Sequence, residues 1–370
     1  MKFIKYLRSY IGITNPCVFI PNKDKGLIGI REKSSIKYKS NIFFYNLNSL
    51  ELVFIINNVK VFRGSYDKKA IFEDVNNEKP NFLQITFYDE NKKTHWFEIE
   101  ALYLLLIYKN YFLFDLEKNN DFFLKCLNIK NDELVWQNAY KIQPRVFLNI
   151  NNYIVFGNSE FKIFLLDILT GKTDWSLDLS PYFVPSPLLA NGDPIFSQSI
   201  SKVLYCSKNE VLIIFLMPYK LLGISIEDGQ VLWEIEYRLN SNELYVESGT
   251  GLLYVLSRIF VEDERSVIYR YNVMNTKTGE IELERDYDYH DINAGKESLY
   301  FTNFAGVYND SVYFTTPNGE IFKLNKSTGE IVERYKHDKP FYSPPQIFNN
   351  RLFITEGDDK LERTLVFDID

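Results

Sequence analysis

Cysteine and histidine are scarce in this chain, and their scarcity excludes two classes of protein. The three cysteines are far apart and odd in number, unlike the dense cysteine pairs of a small disulfide-stabilised secreted domain. The three histidines include no two at the spacing that a zinc site requires. We therefore expect buried thiols in a reducing compartment, with no bound metal and no cofactor.

Long apolar runs are also missing. The most apolar stretch, LYLLLIY at residues 102–108, has the length of a strand and not the roughly 20 residues of a membrane span. Lys5, Arg8 and Ser9 interrupt the N-terminal segment, so it lacks the continuous apolar core of a signal peptide. These features predict a cytoplasmic protein without membrane contact. The abundance of Asn, Lys, Ile and Tyr suggests a bacterial source.

Basic residues are fewer than acidic ones: the chain has 42 Lys and Arg and 49 Asp and Glu, which gives a net charge of −7. A nucleic-acid grip through phosphates needs a basic face, so no nucleic-acid partner is expected. The charge is compatible with a basic protein partner. The chain also has no P-loop, dinucleotide fingerprint or Gly-x-Ser-x-Gly elbow. We therefore predict no catalytic residue, and hence no enzyme.

What the chain does contain is a repeated hairpin. Residues 164–175, FLLDILTGKTDW, read as a short apolar strand, a tight turn ending at Gly171, and a second strand that carries Trp175. Glycine accepts the positive φ of such a turn without a Cβ clash, and Asp167 can hydrogen-bond the turn backbone. The same pattern recurs around Gly229, Gly279 and Gly329.

Each tryptophan follows such a turn position by four residues. We predict one structural column that contains Trp96, Trp136, Trp175 and Trp233, joined by Phe54 in the first repeat. The turn positions are 39 to 58 residues apart, which leaves room for four strands in each repeat. They are Leu50, Lys92, Asp132, Gly171, Gly229, Gly279 and Gly329.

A second column lies four residues before each turn position. Its members are mainly short polar side chains, as expected where a strand ends by hydrogen-bonding its own turn; Tyr88 is the exception. They are Asn46, Tyr88, Asn128, Asp167, Ser225, Asn275, Asn325 and Asp368.

Apolar hairpins precede the turns, for example RVFLNINNYIVFG at residues 145–157 and FAGVYNDSVYFTT at residues 304–316. Four-stranded antiparallel units of this length, arranged radially, form a β-propeller. The eight members of the polar column predict eight repeats. We therefore predict an all-β, eight-bladed propeller that forms a single domain over residues 1–370, with residues 1–7 as the outer strand that closes the last blade. Seven blades is the alternative, and it leaves the strand signals in residues 17–30 without a role.

The best-formed repeat, LLDILTGKTDW, resembles the PQQ-like repeat of the quinoprotein alcohol dehydrogenase-like propellers. That pattern is Asp, two residues, Thr-Gly, three residues and Trp, and Asp167, Thr170, Gly171 and Trp175 match it fully. In that family the tryptophan packs between adjacent blades. The resemblance therefore implies structural docking roles for Trp96, Trp136, Trp175, Trp233, Gly171, Gly229, Gly279 and Gly329.

The repeat is broken at connections between blades. The longest spacing, 58 residues between Gly171 and Gly229, includes a proline-rich excursion, and loops on a rigid scaffold commonly carry binding residues. Residues 286–293 and 258–266 are further irregular segments, the latter read as a hairpin tip. Exposed tyrosines with an arginine are typical interface anchors, whereas single aromatics can also fill gaps between blades. The predicted partner-binding rim, on the funnel side, contains Tyr140, Arg145, Tyr182, Phe183, Tyr287, Tyr289, His290 and Tyr342.

The expected function is non-catalytic binding of another protein by a monomeric propeller. An adaptor and a specific inhibitor, such as an immunity protein, are both consistent with these features. The superfamily that the repeat resembles also includes non-enzymatic protein scaffolds. The alternative is a small-molecule-binding, sugar-binding or enzymatic propeller. The family's quinone-dependent dehydrogenases carry an adjacent cysteine pair, which this sequence lacks.

Overall fold

The computed structural model of the protein is almost entirely β-strand. It describes residues 1–8, 17–20, 27–33, 40–59, 61–66, 69–75, 82–89, 92–118, 121–140, 145–158, 160–183, 198–217, 220–237, 244–261, 266–287, 303–316, 319–341, 345–348, 350–358 and 361–369. Within these residues the chain forms 32 strands and one short 3-10 turn at Ser180–Tyr182. The predicted all-β class is confirmed.

The strands form sheets of four. Sheet 1 contains β2 (Cys17–Ile20), β3 (Leu27–Lys33), β4 (Ser40–Asn46) and β5 (Leu52–Val59). Sheet 2 contains β6 (Val61–Tyr66), β7 (Lys69–Val75), β8 (Phe82–Asp89) and β9 (Lys92–Glu100). Sheet 3 contains β10 (Tyr103–Tyr108), β11 (Tyr111–Lys118), β12 (Asp121–Asn128) and β13 (Glu133–Tyr140). Sheet 4 contains β14 (Arg145–Ile150), β15 (Tyr153–Gly157), β16 (Lys162–Asp167) and β17 (Thr173–Asp178).

The remaining strands repeat this arrangement. Sheet 5 contains β18 (Ser199–Cys206), β19 (Val211–Met217), β20 (Lys220–Ser225) and β21 (Val231–Glu236). Sheet 6 contains β22 (Leu244–Glu247), β23 (Leu252–Val261), β24 (Ser266–Asn275) and β25 (Ile281–Tyr287). Sheet 7 contains β26 (Asn303–Tyr308), β27 (Ser311–Thr316), β28 (Glu320–Asn325) and β29 (Ile331–Lys336). Sheet 8 contains β30 (Gln346–Phe348), β31 (Arg351–Asp358), β32 (Leu361–Asp368) and β1 (Lys2–Arg8).

The order of strands in each sheet follows the chain, except that β1 pairs with β32 and completes sheet 8. The prediction that the N-terminal strand is the fourth strand of the last sheet is therefore confirmed. The strand signals in residues 17–30 belong to sheet 1, which favours eight blades over the seven-blade alternative. Eight sheets lie in the described part of the chain, and their closure into eight blades stays a prediction.

The chain divides into two compact units. The N-terminal unit comprises Leu7–Ser159 and Phe164–Asp174, and the C-terminal unit comprises Met1–Tyr6, Glu160–Ile163 and Trp175–Asp370. In the N-terminal unit the first strands of consecutive sheets lie side by side, β2 with β6, β6 with β10 and β10 with β14. In the C-terminal unit β18, β22, β26 and β30 do the same. The predicted single domain over residues 1–370 stays a prediction.

Each unit is held together by apolar side chains packed between successive sheets. In the N-terminal unit, Ile85 and Phe87 of sheet 2 form one cluster with Phe112 of sheet 3. In the C-terminal unit, Phe215 and Trp233 of sheet 5 cluster with Val255 of sheet 6 and its neighbours. Burial of these large side chains is the main term that favours the folded state.

In sheets 1 and 3 to 7, the turn between the third and fourth strands includes a residue with a positive φ. At residue 167 the Asp167 carboxylate accepts the N–H groups of Leu169 and Thr170 at 2.7 and 2.8 Å. Its carbonyl accepts the N–H of Gly171 at 2.8 Å, and its own N–H donates to Lys172 O at 2.9 Å. The predicted turns are confirmed by a positive φ at Leu50, Asp132, Gly171, Gly229, Gly279 and Gly329.

Candidate functional site

Strand register defines the tryptophan column. Trp136 of β13 pairs with Cys126 of β12, and a bulge follows Cys126 directly. Trp233 pairs with Gly223 in the same way. In each case the partner lies two residues before the polar residue that ends the third strand. The same register and bulge hold for Phe44 with Phe54, Val273 with Leu283, and Lys323 with Glu333.

Three tryptophans in this column contact the turn of the following sheet. The indole Nε1 of Trp136 donates to Ile168 O at 2.6 Å. Trp175 donates to Ile226 O at 2.8 Å, and Trp233 donates to Thr276 O at 2.9 Å. The acceptor is always the residue three positions before the turn glycine. One contact thus joins consecutive sheets at equivalent places in the repeat.

The turn glycines leave room for these indoles. A Cβ on Gly171 would lie 2.6 Å from Cδ2 of Trp136, and one on Gly279 would lie 2.7 Å from Cγ of Trp233. Gly229 meets Trp175 at 2.7 Å in the same way. Glycine is required here both for the positive φ and for the close approach of the ring.

Between sheets 6 and 7 tyrosines replace the missing tryptophan. The hydroxyl of Tyr287 donates to Gly329 O, and that of Tyr271 donates to Lys326 O at 3.1 Å. Both rings are buried, and burial raises the pKa of each phenol above its ordinary value. The predicted exposed rim position of Tyr287 is therefore wrong, because β25 turns this side chain onto the next sheet.

Sheet 2 departs from the column, and the placement of Trp96 in it is wrong. The bulge in β8 follows Phe87, and Phe87 pairs with His95, whereas Trp96 pairs with Thr86. The register therefore puts His95 in the column position. The reason is a shorter turn: Asp89 pairs with Lys92, so the predicted turn residue Lys92 is the first residue of β9. The side chains of His95 and Trp96 lie outside the described residues.

The same shift explains the odd member of the polar column. Asp89, and not Tyr88, occupies the position two residues after the bulge partner Phe87. Tyr88 instead packs edge-on against Phe72, with ring centroids 5.4 Å apart. A one-residue change of register exchanges the two faces of a strand, so an aromatic residue at 88 belongs to the core.

The rim residues of the N-terminal unit flank the connection from sheet 3 to sheet 4. Tyr140 ends β13 and packs edge-on against Phe156 at a centroid distance of 5.4 Å, and burial raises the pKa of its phenol. Arg145 begins β14, is exposed, and lies 5.3 Å from the ring centroid of Phe147. Tyr140 is thus partly a packing residue, while Arg145 offers its guanidinium to solvent.

Two further rim residues lie in the C-terminal unit at the start of the long connection. Tyr182 closes the 3-10 turn and Phe183 follows it; both are half-buried. The ring of Phe183 packs on Phe161 with centroids 4.4 Å apart. Asp178 accepts the N–H and hydroxyl of Ser180 at 2.9 and 2.7 Å, which lowers the pKa of this carboxyl. The turn thus fixes the backbone of Tyr182 and Phe183.

The other rim predictions lie outside the described residues. They concern Tyr289, His290 and Tyr342, together with most of the proline-rich excursion (184–197) and of the 286–293 segment. The hairpin tip predicted near residue 262 lies between β23 and β24, whose last described pair is Val261 with Ser266. A binding role for the rim stays a prediction.

Charged triads recur on the fourth strands of the C-terminal unit. In sheets 5, 6 and 7 a charged residue of the third strand lies between two opposite charges of the fourth, with N···O distances of 2.5 to 3.8 Å. The triads are Lys220 with Glu234 and Glu236, Arg270 with Glu284 and Asp286, and Glu320 with Arg334 and Lys336. The hydrogen bond from Arg270 lowers the pKa of Asp286. The fourth strands are thus acidic in sheets 5 and 6 and basic in sheet 7.

A cavity of about 480 Å³ in the N-terminal unit has no counterpart among the sequence predictions. It lies between sheet 2 and the turn of sheet 3. The sequence signal that could have revealed it is Asp89 directly after Tyr88, which marks the shifted register. The lining residues are Lys69, Phe87, Phe97, Ile129, Lys130, Asn131 and Asp132.

The side chains that could bind a metal ion or act as thiol nucleophiles are far from one another or buried in the described residues. In the part of the chain that the structure describes, no three His, Cys, Asp or Glu side chains are grouped to hold a metal ion. Cys126 and Cys206 are buried free thiols. Burial raises the pKa of Cys126 to about 12, so this thiol is protonated at neutral pH. Among the described residues no helix is long and apolar enough to span a bilayer.

Comparison with known proteins identifies the architecture. No protein-family model matches the chain, and no curated protein sequence matches it. The structure of BamB from Moraxella catarrhalis is similar, with a TM-score of 0.60, 15% identity, and coverage of 98% of both chains. The Cps50 (Swd1) β-propeller domain of Myceliophteria thermophila matches with a TM-score of 0.50 and 11% identity, over 99% of this chain and 98% of that one.

The fold is a β-propeller. A quinohemoprotein alcohol dehydrogenase from Comamonas testosteroni is also similar, with a TM-score of 0.56 and 8% identity, over 93% of this chain and 73% of that one. The likeness to this alcohol dehydrogenase is one of fold. Because such a fold can carry many activities, the site must decide the function.

Proposed function

We propose that this propeller is a non-catalytic cytoplasmic protein that binds another protein, as an adaptor or as a specific inhibitor such as an immunity protein. It acts as a monomer, and its contact surface is the set of connections that link successive sheets. The long connection after sheet 4 is the central element of that surface.

The observation that carries this proposal is the position of Tyr182. Its backbone is held by the 3-10 turn, in which its N–H donates to Leu179 O at 3.0 Å, and the N–H of Leu179 donates to Phe161 O at 2.9 Å. In the described part of the chain its half-buried side chain has no hydrogen bond or ring contact. A tyrosine on a fixed backbone loses little entropy when a partner covers it, which is why such residues are interface anchors.

Charge favours a basic partner. The exposed carboxylates Glu234, Glu236, Glu284 and Asp286 outnumber the two cations, Lys220 and Arg270, that lie between them. The chain as a whole carries a net charge of −7. A basic partner would be steered toward such a surface, and its association rate would fall as salt rises.

The test is affinity purification of the tagged full chain from its native cell, beside the variants Tyr182→Ala and Tyr153→Ala. We expect one stoichiometric protein partner that the wild type and Tyr153→Ala retain and that Tyr182→Ala binds at least about tenfold more weakly. Tyr153 is the matched control, because it is a half-buried tyrosine of β15 that pairs with Ile150, at the end of sheet 4 opposite to Arg145 and the connection before it.

Two results would overturn the proposal. One is recovery of a bound sugar or quinone without any stoichiometric protein. The other is equal retention of the partner by Tyr182→Ala and the wild type, with both proteins showing the same thermal unfolding midpoint.

A further inference from the structure

The cavity of about 480 Å³ lies at a defined place in the repeat. Its volume is within the range of small-molecule sites. Phe87 and Phe97 line it with ring centroids 6.1 Å apart, and the ring of Phe112 lies 6.0 and 6.4 Å from them. The turn residues Ile129 and Asp132 line it as well. The lining therefore combines aromatic rings with residues of a turn.

The other sheets show which group fits beside this turn. In sheets 4, 5 and 6 the residue three positions before the turn glycine accepts an indole N–H from the preceding sheet: Ile168, Ile226 and Thr276. Ile129 is the equivalent residue in sheet 3, because it lies three positions before Asp132 at φ 56°.

The backbone of Ile129 is anchored like its equivalents. Its N–H donates to Asn110 O at 2.9 Å, as Ile168 donates to Asn152 O at 2.7 Å and Ile226 to Glu210 O at 3.0 Å. The Ile129 carbonyl is therefore expected to accept a donor in the same manner. In sheet 2 the column position that would supply an indole is His95.

Charge at the cavity adds a second requirement. Lys69 and Lys130 line it, and neither ammonium has an ion-pair partner among the described residues. Asp132 is the one carboxylate among the described lining residues. Two cations against one anion favour a ligand that carries negative charge.

We propose that this cavity binds a small aromatic acid, namely a fused planar ring with an N–H donor and a carboxylate. The ring packs on Phe87 and Phe97, its N–H donates to the Ile129 carbonyl, and the carboxylate pairs with Lys69 and Lys130. This binding site is separate from the protein-binding surface proposed above and does not depend on it.

The test is isothermal titration of the full chain with indole-3-propionate, and with 3-methylindole as the uncharged analogue. We expect saturable one-to-one binding of the acid with a Kd of about 1 mM or tighter. The uncharged analogue and the double variant Lys69→Ala with Lys130→Ala should each bind at least about tenfold more weakly. Lys277→Ala is the matched control, because Lys277 occupies the turn position of sheet 6 that Lys130 occupies in sheet 3.

The lysine variants are expected to fold, since both side chains reach solvent, and thermal unfolding would verify this. Absence of saturable binding would overturn the proposal. So would equal affinity for the acid and 3-methylindole, or unchanged affinity in the folded double-lysine variant. Loss of binding in Lys277→Ala would place the site elsewhere.

Discussion

The interface between sheets 5 and 6 and the interface between sheets 2 and 3 are built around equivalent turns, yet they are packed differently. In the first, the indole of Trp233 covers Gly279 and donates to Thr276 O at 2.9 Å. In the second, the column position is His95 and a cavity of about 480 Å³ lies against the turn. Equivalent turns thus face a docking indole at one interface and a cavity at the other.

The largest expected effect comes from removing the indole at the filled interface. Trp233→Ala deletes a buried ring and leaves a cavity, so we expect a loss of about 3–5 kcal/mol in the free energy of unfolding. Urea denaturation measures it. The neighbouring Leu232, which is 47% exposed, is the control: Leu232→Ala should change stability by less than about 0.5 kcal/mol. Similar values for both variants would contradict a docking role for Trp233.

A smaller loss is expected from the turn glycine at the same interface. Gly279→Ala forces a side chain into φ 74° and brings a Cβ to 2.7 Å from Trp233, so we expect a loss of about 2 kcal/mol. Gly249→Ala is the control, since an added Cβ there meets nothing within 4 Å.

The contribution of the contact can be separated from that of the backbone. In the Trp233→Ala background, Gly279→Ala should cost only the backbone strain, because the ring is gone. Strict additivity of the two substitutions would show that the indole and the glycine do not interact.

The smallest effect, and a gain, is expected at the other interface. His95→Trp supplies an indole at the column position of β9, as in sheets 3 to 5. We therefore expect a gain of about 1 kcal/mol in the free energy of unfolding. We also expect weaker binding of indole-3-propionate, because the new indole would occupy the same cavity. Lys92→Trp, at an exposed position of the same strand, should give neither. If His95→Trp left both stability and ligand affinity unchanged, the cavity would not be the equivalent of the indole site.

Much of the fold was predictable because the repeat depends on hydrogen bonds and backbone conformations within a few residues. The turn at Asp167 and Gly171 requires a short acceptor and a positive φ, and both requirements are visible in sequence. The closure of sheet 8 by β1 was also predictable, since seven complete repeats and a remainder of three strands leave one strand unassigned. Neither inference depends on which side chains contact each other between sheets.

The candidate site was less predictable, because it depends on register and on neighbouring sheets. Tyr287 looked like an exposed loop residue, but its strand turns it onto Gly329. Trp96 fell into the tryptophan column by counting from an assumed five-residue turn, and the shorter turn after Asp89 moved it by one position.

By itself the sequence determined the repeat, the turn residues and the class of fold, because these depend on backbone propensities and on contacts within a few residues. The tertiary structure alone decided which side chain occupies each docking position. A single residue of register reverses the faces of a strand, and that shift cannot be read from spacing. It is the reason why His95 stands where a tryptophan was expected and why Phe87 and Phe97 line a cavity.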